Sequence, residues 1–550
     1  MSTKYIFISG GVISGLGKGI TTASIALLLK SAGFAVSPVK IDMYLNIDAG
    51  TIRPQEHGEI FVTDDGIETD EDLGHYERFL NESMTRVNYI TTGQIYQEVI
   101  RKERAFEYNG EDVEAIPYVT DEIAKRVKLA GTAKNADIVL VELGGTVGEY
   151  QNVIFFETNR IMKLKAPGDV FHIHVAYLPV LVSIGELKSK PVQTSVHTLN
   201  SLGIQPDFVF TRSEKPIDQR RRERLALFCN VTDSEIIDSP DIESIYEVPL
   251  NLERQRFSEK LFAKLGIDKK RVDLGPWQKM VEKGKKASKE VKIALVGKYF
   301  VTGDYMLADS YISVVEALKH AGTSLGIKPC LFWIDSEKIE KEGTKILEDF
   351  DGLIVPQGWG SRGIEGKVAT VKFAREQKIP YLGLCFGMQM AVIEFGRHVC
   401  GLKDANTGEA GKKTSHEVIH IMPDQAKYLV KRQYGGTIRL GAWPCKLVRG
   451  TKTALCYEKH SKSSFTLYPK PYPLIYERHR HRYEFNNKYR QIMTKKGLVI
   501  SGVSPDGKLV EAIELAGHPF FIGTQFHPEY KSRPLSPHPL FLEFLKACQH

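Results

Sequence analysis

The sequence predicts two α/β domains in series: a P-loop-type domain on a parallel sheet, then a second α/β domain. Three observations carry this. Short unbroken apolar runs alternate with stretches of helical spacing, the mark of strands covered on both faces. Apolar residues are 42% and charged residues 26% of the 550, as in ordinary globular chains of about two to four domains. A lysine-rich, aliphatic-poor stretch from Asp268 to Lys292 separates two regions that each show the pattern.

In the first region Tyr5–Ile8 reads as a buried strand, Thr21–Lys30 as a helix, and Ile138–Val141 and Val209–Phe210 as further strands. In the second, Val291–Val296, Leu353–Val355 and Tyr381–Leu384 are the predicted strands. The expected division is therefore 1–267, a linker over 268–292, and 293–550.

Lys plus Arg is 74 and Asp plus Glu is 67, a net +7 that suits small polyanions and is too slight for wrapping a nucleic acid. Seven cysteines without CxxC spacing give neither a disulfide framework nor a zinc site. No run reaches the roughly 18 apolar residues of a membrane span, and the N-terminus lacks secretory-signal order. The expectation is a reduced, cytoplasmic enzyme without membrane or nucleic-acid partners. The cluster Arg478–Arg482 (RHRHR), apart from Arg482, reads as basic surface or an interdomain contact.

Gly10–Gly19 (GGVISGLGKG) follows the first strand and opens a helix. Such a loop turns backbone N–H groups, a helix N-terminus and a lysine toward an anion. It departs from GxxxxGK[ST]: five residues separate Gly11 from Gly17, and Gly19 stands where a hydroxyl residue is usual. Lys40 closes the next strand and offers a second cation. Glu142 tips a buried strand, where open α/β sheets place ligands, and Asp72 lies in an acidic run; carboxylates beside phosphates hold Mg²⁺.

Gly383-Leu384-Cys385-Phe386-Gly387 has the form of a nucleophile elbow, a strand turning sharply into a helix with the thiol on the tip. A thiol needs a basic partner near neutral pH. His527, after the apolar run Phe520–Gly523, is the candidate, and Glu529 is placed to orient its ring.

GGVISGLGKG, KIDMYLNIDAGT, HGEIFVTDDG, EDLGHYERF, VELGGTVGEYQ and GELKSKPVQ resemble the synthetase half of the CTP synthase family in order, and GLCFGMQ, GGTIRLG, RHRHRYEFNN and QFHPEY resemble its class I glutamine amidotransferase half. The resemblance implies ATP-dependent phosphorylation of uracil O4 of UTP, then displacement by ammonia released from glutamine and channelled inside the protein. It further implies Mg²⁺, activation by GTP, inhibition by CTP, a homotetramer and a capacity to form filaments.

Carried onto this chain, the resemblance assigns Ser14 to UTP or CTP and Gly15, Leu16, Gly17, Lys18, Gly19 and Ile20 to ATP, with Lys40, Asp72, Asp241 and Ile242. Glu149, Tyr150 and Gln151, the segment Lys188, Ser189, Lys190, Pro191, Val192 and Gln193, and Arg224 match UTP- or CTP-binding positions. Asp72 and Glu142 match metal ligands, and His57 matches the ammonia gate. Cys385, His527 and Glu529 match the triad. Gly358, Phe386, Gly387, Met388, Gln389, Glu409 and Arg482 match the glutamine site.

The chain departs from the family pattern at Arg224 (a Lys is common), at 149–151 (Asp-Ile-Glu in bacterial members), at Met43, at Gln357 and at 406–410. Alternatives are another ATP-dependent amidotransferase, acting on a corrin or a purine, and a non-catalytic scaffold. KSKPVQ and the domain order oppose the purine reading; Lys18, Glu142, Cys385 and His527 oppose the scaffold.

Overall fold

The first apolar run extends at both ends into the strand Lys4–Gly11, which lies at the centre of a seven-stranded sheet. The computed structural model describes residues 2–181, 185–298, 301–302, 305–306, 308–411, 413–431, 433–460 and 473–549. From edge to edge the sheet runs Ile236–Pro240, Phe208–Ser213, Val170–Tyr177, Lys4–Gly11, Ile138–Leu143, Val36–Asp42 and Tyr89–Thr91. Every neighbouring pair is parallel. Glu142 lies in register with Ile8 on one side and Lys40 on the other. The phosphate loop, Lys40 and Glu142 thus share the carboxyl edge of three adjacent strands. The expected helix is Lys18–Ser31, with Ile25, Leu28 and Leu29 buried.

The second sheet has nine strands. Its first five, Ile327–Asp335, Lys289–Gly297, Gly352–Val355, Tyr381–Leu384 and Phe521–Thr524, are parallel. The remaining four, Val510–Leu515, Leu498–Val503, Arg439–Leu447 and Leu474–His481, add on antiparallel. Alternation along Lys289–Gly297 feeds two cores: Ile293 and Leu295 enter one apolar cluster, Ala294 and Val296 another. Ile293, Leu295 and Val296 each contribute about 1.5–3 kcal/mol by burial.

The contacts divide the chain into two units, Met1–Asp48 with His75–Gln278, and Ala49–Gly74 with Lys279–His550. This differs from the expected division in two ways. Residues 49–74, early in the sequence, group with the second unit, because their carboxylates pair with its arginines, as described below. The expected linker is also structured. Gly275–Lys285 is a helix, and Trp277 is 2% exposed, donating its indole N–H to Tyr246 O at 2.8 Å and packing on Phe79. One large aromatic anchors a stretch that is otherwise polar. Among the described residues no helix is long and apolar enough to cross a membrane, and all seven cysteines are unpaired.

Candidate active sites

In the first unit the loop after Lys4–Gly11 makes its turn with φ of 73° at Gly15 and 77° at Gly17, and with Val12 at 83°. Gly17 is the N-cap of Lys18–Ser31 and carries no side-chain cap, so no side chain competes for the first-turn amides there. Residues Val12 to Gly15 are exposed and Leu16 and Gly19 buried, with Ile20 half-buried. Lys18 Nζ donates to Gly145 O at 2.8 Å, which draws the loop toward the turn after Ile138–Leu143. Lys40 Nζ lies 3.1 Å from Glu142 Oε1 and 3.7 Å from Asp42 Oδ1, and the Tyr76 hydroxyl donates to Glu142 Oε2. Glu142 is 1% exposed.

The segment expected to grip UTP begins with Lys188, whose Nζ meets Glu186 at 2.6 Å. Ser189 caps the helix Lys190–Ser201, and Ser189 Oγ accepts from Gln193 Nε2 at 3.1 Å. Pro191 fits the first turn, where a missing N–H costs nothing, and Val192 is buried. Glu149 is turned back onto Thr146, accepting from its N at 2.6 Å and its hydroxyl at 2.7 Å; Tyr150 and Gln151 are exposed. Arg224 sits over the Phe228 ring at 5.7 Å. Asp241 pairs with Arg212 at 2.7 Å, beside half-buried Ile242.

In the second unit Cys385 follows the strand Tyr381–Leu384 and precedes the helix Phe386–His398, with φ 51° and ψ −96°. That is a strained conformation for a residue with a side chain. Leu384 lies in register with Thr524, so His527, three residues on, emerges at the neighbouring strand end. Cys385, His527, Gln357, Gly358, Trp359 and Phe386 line one cavity, together with Gln389, Glu409 and the run Arg480 to Tyr483.

His527 Nδ1 is 2.8 Å from Glu529 Oε1, and both residues are buried. Nε2 makes no hydrogen bond of standard geometry, leaving it directed to the thiol side. Burial lowers the imidazole pKa, but the Glu529 carboxylate and the Cys385 sulfur outweigh burial and push it up to about 10. The ring is thus held as a cation beside the nucleophile.

Gln389 Nε2 donates to Tyr483 O at 3.0 Å, and its Oε1 has no partner. Glu409 accepts from Gly360 N at 2.6 Å, burial pushing its carboxyl pKa up against that bond and the nearby Lys298. Arg482 donates to Thr437 Oγ1 at 2.9 Å. Gly387 and Met388 are buried behind the nucleophile.

Of the two readings of the cluster, exposed basic surface is overturned at Arg478 to His481. All five residues are buried, four on the strand Leu474–His481 and Arg482 just after it. Strand alternation explains how. Arg478 Nε meets Asp64 Oδ1 at 2.6 Å and Arg480 Nε meets Glu68 Oε1 at 2.7 Å. His479 Nε2 lies 3.8 Å from Glu511 Oε2, and His479 Nδ1 lies 3.0 Å from His481 Nε2. The cations are neutralised by carboxylates of 49–74. In that segment His57 Nδ1 is 3.7 Å from Asp70 Oδ2, and the Asp70 side chain accepts from Asp72 N at 3.1 Å.

A family model described as "CTP synthase N-terminus" matches residues 4–267, and one described as "Glutamine amidotransferase class-I" matches 306–547. A CTP synthase of Caldanaerobacter subterraneus is 51% identical over 546 residues, covering 99% of this chain and 98% of the relative. One of Sulfolobus acidocaldarius is 50% identical over 548 residues, covering 99% of each chain. The chain belongs to the CTP synthase family. A solved glutaminase domain of Trypanosoma brucei CTPS with bound acivicin is 37% identical, covering 47% of this chain and 94% of that one, with a TM-score of 0.41. Family membership carries an ATP-dependent, glutamine-dependent conversion of UTP to CTP.

Sequence reasoning missed several residues around the thiol. Lys298 Nζ donates to Gly360 O at 2.8 Å and Arg362 O at 3.1 Å, and Lys367 Nζ to Pro356 O at 3.2 Å, so two lysines hold the loop that carries Gly358. Burial lowers both; Lys298 falls to about 8. Gln525 Nε2 lies 3.5 Å from Cys385 Sγ. Lys298 had a visible signal, since it follows a strand end as Lys40 nearly does. Glu68 had none.

Proposed function

We propose that the chain is a cytoplasmic ligase that makes CTP in two half-reactions, divided near residues 268–292 into a synthetase part and a glutaminase part. In the first part the loop from Ser14 to Ile20, with Lys18 and Lys40, neutralises triphosphate charge as phosphoryl transfers to uracil O4. Lys188–Gln193 and Arg224 hold UTP, Glu149–Gln151 contributes to CTP inhibition, and Asp241 and Ile242 face the ATP base. Asp72 and Glu142 offer hard carboxylate oxygens of the type Mg²⁺ takes. Each would serve a cation whose other ligands are phosphate oxygens and water; among the described residues no group of three or more metal-ligating side chains occurs. Such an ion shields phosphate charge when bound.

In the second part Cys385 attacks the glutamine carboxamide, His527 moves the proton, and Glu529 holds the ring. Gly358, with the amide after Cys385, binds the oxyanion. Phe386–Gln389, Glu409 and Arg482 orient glutamine, and His57 gates the ammonia released. GTP activation and a homotetramer able to form filaments complete the reading. What carries it is the coexistence on one family-matched chain of a strained cysteine beside a carboxylate-held imidazole and a lysine-bearing loop on a parallel sheet. The test is CTP formation from UTP and ATP with Mg²⁺, run once with glutamine and once with ammonium. Both are expected to yield CTP; glutamine turnover without CTP under either condition overturns the reading.

A further inference from the structure

Beneath the phosphate loop lies a polar chain that the reaction as described does not use. His172 and His174 point inward from the strand Val170–Tyr177 and are both fully buried. Asn159 Nδ2 lies 2.5 Å from His172 Nδ1; His172 Nε2 lies 2.7 Å from Ser9 Oγ; Ser9 Oγ lies 2.8 Å from His174 Nδ1; and His174 Nε2 lies 2.7 Å from Ser195 Oγ. Ser9 belongs to the strand that runs into the loop, two residues before Gly11. Ser195 belongs to Lys190–Ser201, two residues after Gln193.

Burial, aided by Lys18, lowers the His174 pKa to about 3, and burial lowers that of His172 as well. Both rings are therefore neutral, and each can donate from one nitrogen only. Donation by the Asn159 amide fixes the rest: His172 Nε2–H donates to Ser9, the Ser9 hydroxyl to His174 Nδ1, and His174 Nε2–H to Ser195. Chains with one direction of donation reinforce each other in a dry interior. The backbone is cut to admit this one: a Cβ at Gly11 would fall 1.6 Å from Ser195 Oγ and 2.6 Å from His174 Nε2.

We propose that His174 is a positioning residue which, through Ser9 and Ser195, sets the helix Lys190–Ser201 at a fixed distance from the phosphate loop and so sets UTP affinity. This rests on the reading that Lys188–Gln193 holds UTP. The chain ties the helix assigned to UTP to the strand leading into the loop that carries Ser14, which is assigned to the same substrate.

The experiment is steady-state synthesis driven by ammonium with the full-length chain carrying Ser195→Ala, His174→Phe or His174→Gln, compared with wild type. Ser195→Ala is expected to raise KM for UTP about 5- to 10-fold, with KM for ATP and kcat within about twofold. His174→Phe raises it further. His174→Gln, which keeps a donor facing Ser195, recovers most of the loss. The ammonium-driven kcat at saturating UTP reports folding of the altered unit, and glutaminase activity, carried by the other unit, stays unchanged. Unchanged KM for UTP in Ser195→Ala, or equal rises for UTP and ATP, overturns the proposal. Wild type that shows no saturation with UTP overturns instead the assignment of the UTP segment.

Discussion

The two sites begin with the same manoeuvre and finish it differently. Each is a loop leaving the carboxyl end of a parallel strand, and each forces a side-chain-bearing residue to positive φ: Val12 at 83° and Cys385 at 51°. At Cys385 the strain is enclosed. The residue is 6% exposed, and its partners are already held: His527 by Glu529, the Gly358 loop by Lys298 and Lys367, Arg480 by Glu68. Around Val12 the loop is solvent-facing and its lysine rests on a backbone carbonyl. One site must have its nucleophile and base in place before an uncharged carboxamide arrives. The other receives an anion strong enough to order backbone N–H groups itself. Strain at a buried nucleophile marks chemistry done by a side chain; strain in a solvent-facing loop marks chemistry done by the backbone.

The largest effect that tests this contrast is Cys385→Ala. Removing the nucleophile is expected to cost on the order of 10³-fold or more in glutamine-driven synthesis, while ammonium-driven synthesis stays within about twofold. Absorbance assays of CTP with each nitrogen source measure it; equal loss of both means that the two sites are not separable. Lys18→Ala is the mirror test. It is expected to lower synthesis from both nitrogen sources by about 10²- to 10³-fold and to leave basal glutamine hydrolysis, measured as glutamate release, near wild type.

The contrast also explains what the sequence made legible. Parallel strands announce themselves as apolar runs, and Tyr381–Leu384 was readable to the residue. The loop and the elbow were visible because glycine and cysteine sit at fixed offsets from those runs. The division at residues 49–74 was not visible. Asp64 and Glu68 look like surface carboxylates in one dimension, and Arg478 and Arg480 like surface cations. Only folding brings partners more than 400 residues apart to 2.6 and 2.7 Å, after which burial is tolerated because charge meets charge. The Asn159–Ser195 chain was hidden for the same reason: each link is a common polar residue, and the network exists only across four elements.

Glu529→Gln sharpens the claim that the thiol is prepared in advance. The folded-state pKa of His527 lies above its ordinary 6.5, at about 10. Its charge therefore stabilises the fold fully below about 6.5, and this contribution is lost as pH rises through about 10. Without the carboxylate, the alkaline limit of glutaminase activity is expected to fall by about 1–3 pH units, and the loss of melting temperature on raising pH begins correspondingly earlier. A pH–rate profile and melting curves between about pH 6 and 10 read both; an unmoved alkaline limb would mean that Glu529 only orients the ring.

Glu68→Gln asks whether residues 49–74 contribute to the thiol site. Arg480 lines the cavity, its carbonyl lies 3.9 Å from Cys385 Sγ, and its guanidinium lies 5.6 Å from the Trp359 ring. Removing the carboxylate breaks a buried ion pair, which costs about 3 kcal/mol or more when one charged partner is lost. The expected result is a fall of about tenfold in kcat/KM for glutamine, a lower melting temperature and intact ammonium-driven synthesis. Loss of synthesis with ammonium as well would place Glu68 in both half-reactions.

The smallest expected effect isolates strain itself. Val12→Gly removes a branched side chain from a φ of 83° at a position 38% exposed. Relief of a strained backbone is worth about 1–3 kcal/mol, and the added freedom of glycine in the unfolded chain takes back about 0.5–1 kcal/mol. The variant is expected to be slightly more stable than wild type and to keep KM for ATP within about twofold, because the backbone N–H that serves the anion survives the change. The same substitution logic fails at Cys385, where glycine would accept the turn and discard the thiol. A Val12→Gly chain that gained stability but lost ATP affinity tenfold would show that strain holds the phosphate loop in its binding shape, and the two sites would then be prepared in the same way.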